Sequence, residues 1–249
     1  MSGKAKNGGF QHYVAALAKL TSHIPSNMSY QEATVLPLAI STAAAGLYQP
    51  GYLELPFPTS SPKPSGKVIV VWGGSSSVGT TVLQLCKASG VETVATASKH
   101  NHDYCKSLGA SHVLGYNSSS VVDDVVSAVK TTGKEFAGVY DSISAGDSLK
   151  HSSQIIKQLD GSNRLATVLP PSDIPEGVQA NGVFAFTVIT QHPQVGKAVW
   201  QDFVPQALKS GQLKPLPEPM VVGKGLENVQ KGLDTNKKGV SAKKVVIEL

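Results

Sequence analysis

The chain has 249 residues, 41% of them hydrophobic, which is enough to bury one substantial core or two modest ones without disulfide bonds. Its formal net charge of +5 is carried by scattered lysines, with Arg164 as the only arginine, and this pattern argues against a nucleic-acid partner. The N-terminus lacks the apolar core of a signal peptide, and the stretch 33–48 falls short of the roughly 20 apolar residues that a spanning helix needs, so we expect a soluble, cytoplasmic protein without membrane contact.

The N-terminal flank carries several distinct signals. Residues 10–17 have the composition of a strand, and Ser29 with Glu32 forms a capping-box pattern that predicts a helix toward Leu36. Pro37–Tyr48 is predicted as a second, alanine-rich helix. The segment 49–65 holds five prolines and is therefore expected to be an irregular surface connection.

From Lys67 onward, short β-branched runs alternate with helical patterns. Strands are predicted at Lys67–Trp72, 93–97, 112–114, 138–140 and 164–169, and helices over about 78–89, 102–108, 121–130 and 145–159. Repeated β-α units of this length predict an α/β fold with a doubly wound parallel sheet. At the C-terminal end the pattern changes to a helix over 193–208, strands at 216–222 and 244–249 and a short helix over 226–233. Strand-like pieces at both termini suggest that the termini meet in a small second domain.

A glycine- and serine-rich turn follows the first predicted strand and reads Gly73-Gly74-Ser75-Ser76-Ser77-Val78-Gly79. A dinucleotide site needs small residues here, so that the backbone approaches the pyrophosphate and the helix N-terminus points at it. Serines replace two of the usual glycines, which leaves open the alternative of a structural turn that only caps a helix. A nucleoside-triphosphate loop and a nucleophile elbow are excluded because their motifs are absent.

The end of the second strand reads Ala97-Ser98-Lys99-His100-Asn101. A site specific for NAD places an acidic residue about 20 residues beyond the glycines. A hydroxyl and a cation at this place suit a ribose 2′-phosphate instead, which indicates NADPH. Ser98 and Asn101 are also good helix-capping residues, and the two interpretations are compatible.

Taken together, the motifs resemble the zinc-free medium-chain dehydrogenase/reductases, closest to the fungal branch that contains trans-acting enoyl reductases of polyketide pathways. The resemblance covers nearly the whole chain. It is carried by Gly9-Phe10-Gln11-His12-Tyr13-Val14, Ile24-Pro25, Leu36-Pro37-Leu38-Ala39, Thr42-Ala43-Ala44-Ala45-Gly46-Leu47, Ser75-Ser76-Ser77-Val78-Gly79, Lys106-Ser107-Leu108-Gly109-Ala110 and Lys238-Gly239-Val240-Ser241-Ala242-Lys243-Lys244-Val245-Val246.

The resemblance implies a Rossmann domain over residues 37–210, a remnant of a GroES-like β domain over 1–36 and a C-terminal return segment, 211–249, that joins the remnant. It implies a cofactor site and a substrate pocket as well. The implied cofactor contacts are Gly74, Ser75, Ser76, Ser77 and Val78 at the pyrophosphate, Ser98, Lys99 and His100 at the 2′-phosphate, Tyr116 near the adenosine, and Ile143 and Leu169 along the cofactor. Thr42 and Phe184 are implied near the nicotinamide and the substrate. The alternatives are helix packing for Thr42, a half-buried loop position for Tyr116 and ordinary core for Phe184.

The family's GroES-like domain normally precedes the Gly-Phe-Gln strand, and the resemblance implies that most of it is missing here. The zinc ligands of related alcohol dehydrogenases have no counterparts either, so no metal is expected. The nearest ligand cluster, formed by His100, His102 and Cys105, is better explained by a strand end and a helix start. Cys86 and Cys105 fall in predicted helices without a Cys-x-x-Cys motif, in keeping with a reducing compartment.

The function that the resemblance implies is NADPH-dependent reduction of an α,β-unsaturated carbonyl compound, a small molecule of polyketide type. No side chain is an obvious proton donor, so the catalytic residues stay unassigned. A non-redox cyclase, isomerase or pericyclase on the same scaffold and a non-catalytic partner of a polyketide synthase are the alternatives. With one cleft wall missing, the isolated chain is expected to be a poor reductase of small enones.

Overall fold

The computed structural model describes residues 7–9, 11 and 13–249, and its centre is a six-stranded sheet. The strands are β1 (Lys67–Trp72), β2 (Glu92–Ala97), β3 (His112–Gly115), β4 (Glu135–Asp141), β5 (Arg164–Thr167) and β6 (Gln179–Gly182). They lie in the order β3-β2-β1-β4-β5-β6, and every neighbouring pair is parallel. The strand order reverses between β1 and β4, and a crevice opens at such a point beside the carboxyl ends of the strands.

Helices cover both faces of this sheet. In chain order they are α1 (Tyr30–Ala33), α2 (Pro37–Tyr48), α3 (Ser77–Ala88), α4 (His102–Ser107), α5 (Val121–Thr131), α6 (Ser148–Gln158), α7 (Thr187–Thr190), α8 (Pro193–Gly196), α9 (Val204–Ser210) and α10 (Val229–Lys238). One core packs α2, α3, α4 and α7 to α9 against the sheet, and the other packs α5 and α6 against its opposite face. None of the described helices is long and apolar enough to cross a membrane.

Burial on both faces explains the sequence of the central strand. In β1, Ile69 and Val71 pack into the first core, while Val68, Val70 and Trp72 pack into the second. An alternating strand would leave polar side chains in one of these cores, so the run has to be almost continuously apolar. The predicted doubly wound parallel sheet is confirmed.

Two elements of the main domain differ from expectation. Strand β6 was not predicted, because its sequence Gln-Ala-Asn-Gly contains no β-branched or aromatic residue. The helix predicted over 193–208 is instead α8, a π-helix at Lys197–Phe203 and then α9. Pro205 stands at the start of α9 and has no N–H to bond to residue 201, so a regular helix cannot continue through it.

A second, two-stranded sheet pairs β7 (Glu218–Lys224) in parallel with β8 (Lys243–Glu248). The connection runs through a 3-10 helix at Leu226–Asn228 and through α10, and Lys243 forms an ion pair with Glu218 across the strands. Both strands of this sheet come from the C-terminal segment.

The strand expected over residues 10–17 is not formed in its described part. Residues 13–17 are irregular and lead into a 3-10 helix at Ala18–Leu20, while Phe10 and His12 lie outside the described residues. Tyr13 is 92% exposed, and no strand within the described part of the chain pairs with this segment. The N-terminal segment lies instead beside β8, where the two line a mainly apolar groove of about 680 Å³. The domain boundaries at 36/37 and 210/211 stay predictions.

The close packing of α2 on β4 gives a stability prediction. A methyl group at Gly46 would overlap the ring of Tyr140, which is fully buried and donates a hydrogen bond of 2.8 Å to the carbonyl oxygen of Thr42. Gly46→Ala is therefore expected to lower the free energy of unfolding by about 1–3 kcal/mol, although glycine-to-alanine changes in helices usually stabilise. Urea titration measures it, with Gly115→Ala as the control, because that position has open space. A stabilised Gly46→Ala variant would show that the packing is looser than described.

Candidate functional site

Most of the predicted site residues lie along one edge of the main sheet. Because its six strands are parallel, their carboxyl ends meet at that edge. Gly73 follows β1, Ser98 follows β2, Tyr116 follows β3, Ile143 comes shortly after β4, and Leu169 and Phe184 come shortly after β5 and β6. The fold therefore brings residues from six separate connections to one surface, which the sequence order alone does not show.

The turn between β1 and α3 is closed so tightly that it has no room for side chains at its glycines. Gly73 has φ +78°, and a Cβ at Gly79 would overlap the carbonyl oxygen of Gly73. Ser76 caps α3 by accepting a hydrogen bond of 3.0 Å from the backbone N–H of Gly79. The backbone N–H groups of Ser77 and Val78 have no acceptor among the described residues. Free donors at the positive end of a 12-residue helix are suited to hydrogen bonding with an anion.

Neighbouring strands hold this turn in place. The N–H of Gly74 donates to the carbonyl oxygen of Thr96 at 2.8 Å, and the N–H of Gly73 donates to the Thr96 hydroxyl at 3.0 Å. From the other side, the Ser142 hydroxyl donates to the carbonyl oxygen of Trp72 at 2.6 Å. Gly74 itself is buried, and a Cβ there would press on Ala95. Gly74 therefore packs under the turn, and its predicted contact with the cofactor stays a prediction.

The residues at the end of β2 do not act as helix caps. Neither Ser98 nor Asn101 makes a side-chain capping bond. The Ser98 hydroxyl bonds to the Tyr116 hydroxyl at 2.9 Å, and the Asn101 amide donates to the Ser75 hydroxyl at 3.3 Å. The side chain of Lys99 is exposed and forms no ion pair within the described part of the chain. These hydrogen bonds therefore connect the end of β2 to the glycine turn. The Lys99 ammonium has no carboxylate partner among the described residues.

A cleft of about 610 Å³ opens at this edge. Six of the predicted residues line it, namely Ser75, Ser76, Ser98, His100, Tyr116 and Ile143. The other seven do not line it, namely Gly74, Ser77, Val78, Lys99, Leu169, Thr42 and Phe184. Thr42 is nearly buried, and its hydroxyl donates to the Leu38 carbonyl oxygen at 2.7 Å, which fits helix packing. Phe184 is 55% exposed, so it is not an ordinary core residue.

Sequence reasoning assigned no site role to the turn before β8, although this turn closes one side of the cleft. The Ser241 hydroxyl bonds to Nε2 of His100 at 2.9 Å and accepts from the Asn101 amide at 3.0 Å. Ala242 next to it has φ +47°, and Ser144, between the lining residues Ile143 and Ala145, has φ +52°. Such left-handed conformations are unfavourable for residues other than glycine and concentrate at ligand sites. Backbone strain of this kind gives no signal in a sequence.

Lys244 is the second residue that sequence reasoning missed. Its ammonium lies 3.4 Å from the Ser77 hydroxyl at the N-terminus of α3, and burial lowers the pKa of this lysine below its usual value. A half-buried cation beside the positive end of a helix is unfavourable on its own. An anion bound between them would offset that cost. The signal available in the sequence was the Lys243-Lys244 pair at the start of a predicted strand.

Metal ligands are not concentrated anywhere in the described residues, where no three His, Cys, Asp or Glu side chains are close enough to share an ion. His102 instead bonds to the Ala97 carbonyl oxygen at 3.3 Å, and Cys105 is buried with its pKa raised to about 12 by desolvation. The expectation that metal plays no part stays a prediction.

Comparisons with known proteins agree with this geometry. Residues 77–162 match the family described as zinc-binding dehydrogenase. The trans-enoyl reductase himH of Aspergillus japonicus is 42% identical over 246 residues, which cover 99% of this chain and 70% of that protein. The chain belongs to the fungal trans-enoyl reductase branch of the medium-chain dehydrogenase/reductase family.

Two further proteins match over a comparable share of their length. The dehydrogenase orsE of Emericella nidulans is 36% identical over 262 residues, covering 100% of this chain and 74% of the relative. A solved mycobacterial protein, complexed with NADPH, superposes with a TM-score of 0.67 at 19% identity, over 94% of this chain and 70% of its own. The reductase fold is thus shared, and this chain spans 70–74% of these three proteins.

The position of Lys244 in this reductase fold gives a second prediction. Lys244→Met is expected to leave the melting temperature unchanged or to raise it, because the lowered pKa means that the folded state disfavours the charge. At pH values between the lowered pKa of Lys244 and the usual value of 10.5, the unfolded parent binds more protons than the folded parent. The stability of the parent therefore rises with pH in this range, and the stability advantage of Lys244→Met becomes smaller. Thermal melts at several pH values measure this. Lys243→Met, which loses an exposed ion pair, is the control and should gain nothing.

Proposed function

We propose that this chain binds NADPH and reduces the carbon–carbon double bond of an α,β-unsaturated carbonyl compound of polyketide type. The observation that carries the proposal is the pairing of free helix donors at Ser77 and Val78 with a hydroxyl and a cation, Ser98 and Lys99, at the end of β2. No carboxylate stands at that second place, so a ribose phosphate meets attraction there rather than repulsion. The similarity to a trans-enoyl reductase and to an NADPH-complexed protein supports the assignment.

Each part of the edge has a distinct task in this proposal. The N–H groups of Ser77 and Val78, with the Lys244 ammonium, hold the pyrophosphate, which explains why a lysine is half-buried at a helix N-terminus. The 2′-phosphate is held by Ser98, Lys99 and His100, and the adenosine and the rest of the cofactor lie along Tyr116, Ile143 and Leu169. Thr42 and Phe184 border the substrate.

NADPH, when bound, supplies a hydride, and the reduced alkene must also gain a proton. The hydroxyl groups of the tyrosines that pack near the substrate end already donate hydrogen bonds within the protein. Tyr140 donates to the Thr42 carbonyl oxygen, Tyr52 donates to the Gly182 carbonyl oxygen at 2.9 Å, and burial raises the pKa of both. Solvent water is therefore the proposed proton source. Leu169 and Phe184, both more than half exposed, leave this end of the edge open to it.

The cofactor assignment predicts the effect of removing one cation. Lys99→Ala should weaken NADPH binding about tenfold, since one charge-assisted contact to the 2′-phosphate is lost at an exposed position. NADH has no such phosphate, so its binding should change by less than about twofold in the same variant. Cofactor fluorescence titration measures both. Lys106→Ala, another exposed lysine a few residues along, is the control. Equal losses for NADH and NADPH would remove the 2′-phosphate assignment.

The reaction is tested with an unsaturated polyketide-type thioester and NADPH deuterated at the transferable position. We expect a product heavier than the substrate by one deuterium and one hydrogen, formed only when NADPH is present and oxidised to the same extent. In heavy water with ordinary NADPH, deuterium should enter at the alkene carbon that does not receive the hydride. A product of unchanged mass that forms without NADPH would contradict reduction and support a cyclase or isomerase. No turnover with bound NADPH would support the non-catalytic partner instead.

A further inference from the structure

One wall of the cleft has no role in the proposed function so far. It is formed by Trp72 at the end of β1 and His151 on α6. The two rings are in contact, with centroids 5.2 Å apart and planes inclined by 40°. Trp72 is 5% exposed and packed in the second core, so it fixes the position of the imidazole ring.

His151 is unusual because its polar atoms are not used inside the protein. Its Nδ1 is buried without a hydrogen-bond partner, whereas its Nε2 is not among the buried atoms and makes no hydrogen bond to another described residue, so Nε2 is the nitrogen that a ligand in the cleft can reach. Buried polar nitrogens are normally paired, and an unpaired one costs stability. A phenylalanine would fill the same space on Trp72 without that cost. The imidazole is therefore explained better by a bond to something that enters the cleft than by packing.

The surroundings of His151 indicate which kind of ligand enters the cleft. Ile143, 40% exposed, offers an apolar surface in the same cleft, and Tyr116 offers an aromatic ring whose hydroxyl is already bonded to Ser98. The nearby Ser148 is only 3% exposed, and its hydroxyl accepts from the backbone N–H of Ala145 at 3.1 Å. A flat ligand with a polar edge can lie against Ile143 and Tyr116. Its polar edge then meets the imidazole of His151, which forms no side-chain hydrogen bond to another described residue. Purine bases have this combination of flat faces and hydrogen-bonding edges.

We infer that His151 hydrogen bonds to the adenine base of the cofactor and sets the affinity for its adenosine half. This inference rests on the proposed NADPH site, whose 2′-phosphate residues Ser98 and His100 line the same cleft. Trp72 acts as a positioning residue, because it holds the imidazole and does not itself need to touch the base.

The test compares His151→Phe, which keeps a ring against Trp72, with His151→Gln, which keeps a hydrogen-bonding group. Adenosine 2′,5′-bisphosphate and NADPH serve as probes in calorimetric titrations of the whole chain. His151→Phe should weaken both by the same factor, about fivefold for one neutral hydrogen bond, and His151→Gln should recover part of the loss. Gln154→Ala, an exposed change on the same helix, is the matched control and should have no effect.

The possible failures are distinguishable. If His151→Phe binds both probes as tightly as the parent while Lys99→Ala weakens them, the adenine contact is overturned and the NADPH site stands. If His151→Gln binds as weakly as His151→Phe, and both melt below the parent, the residue acts through packing and the inference is again overturned. If the parent binds neither probe, both the inference and the proposed function fail.

Discussion

The site depends on the close approach of two backbone segments in the turn after β1. Gly79 lies against the carbonyl oxygen of Gly73, and no side chain fits between them. Because of this contact, α3 begins immediately at the sheet edge, with the N–H groups of Ser77 and Val78 left without acceptors. The bonds from Gly73 and Gly74 to Thr96 then fix the turn relative to β2. A larger residue at Gly79 would move the helix start and all the donors with it.

The C-terminal segment adds further side chains next to this turn. Ser241 and Lys244 reach the turn from the C-terminal segment, where they meet His100 and Ser77. Neither contact stabilises the protein in an obvious way, since Lys244 is a desolvated cation and Ala242 is in a strained conformation. Unfavourable features that lie close to the same glycine turn are more simply explained by a ligand than by folding, because an anionic ligand would offset the cost of the charge.

The sequence was sufficient for five of the six strands of the main sheet because their signals are local. The continuous apolar run of β1 and the helical spacing that follows it depend on neighbouring residues, and β1 and α3 lie where they were predicted to within one residue. The sequence was insufficient wherever contacts between distant parts of the chain determine the local structure. Strand β6 forms because β5 offers it an edge, despite a poor strand composition, and residues 13–17 are irregular, with no strand among the described residues paired to them. At the site, the positions after the strands could be named from the sequence, and their contacts with a cofactor stay predictions. Ser241, Lys244 and His151 were not, since their roles depend on which parts of the chain meet.

Direct binding of cofactor to the purified parent protein tests whether this edge of the sheet holds a phosphorylated dinucleotide. Calorimetric titration with NADPH and with NADH, in the same buffer and at two salt concentrations, gives both affinities. We expect NADPH to bind at least about tenfold more tightly than NADH, and added salt to reduce this difference by screening the exposed Lys99. Absence of binding by either cofactor, or tighter binding of NADH, would contradict it.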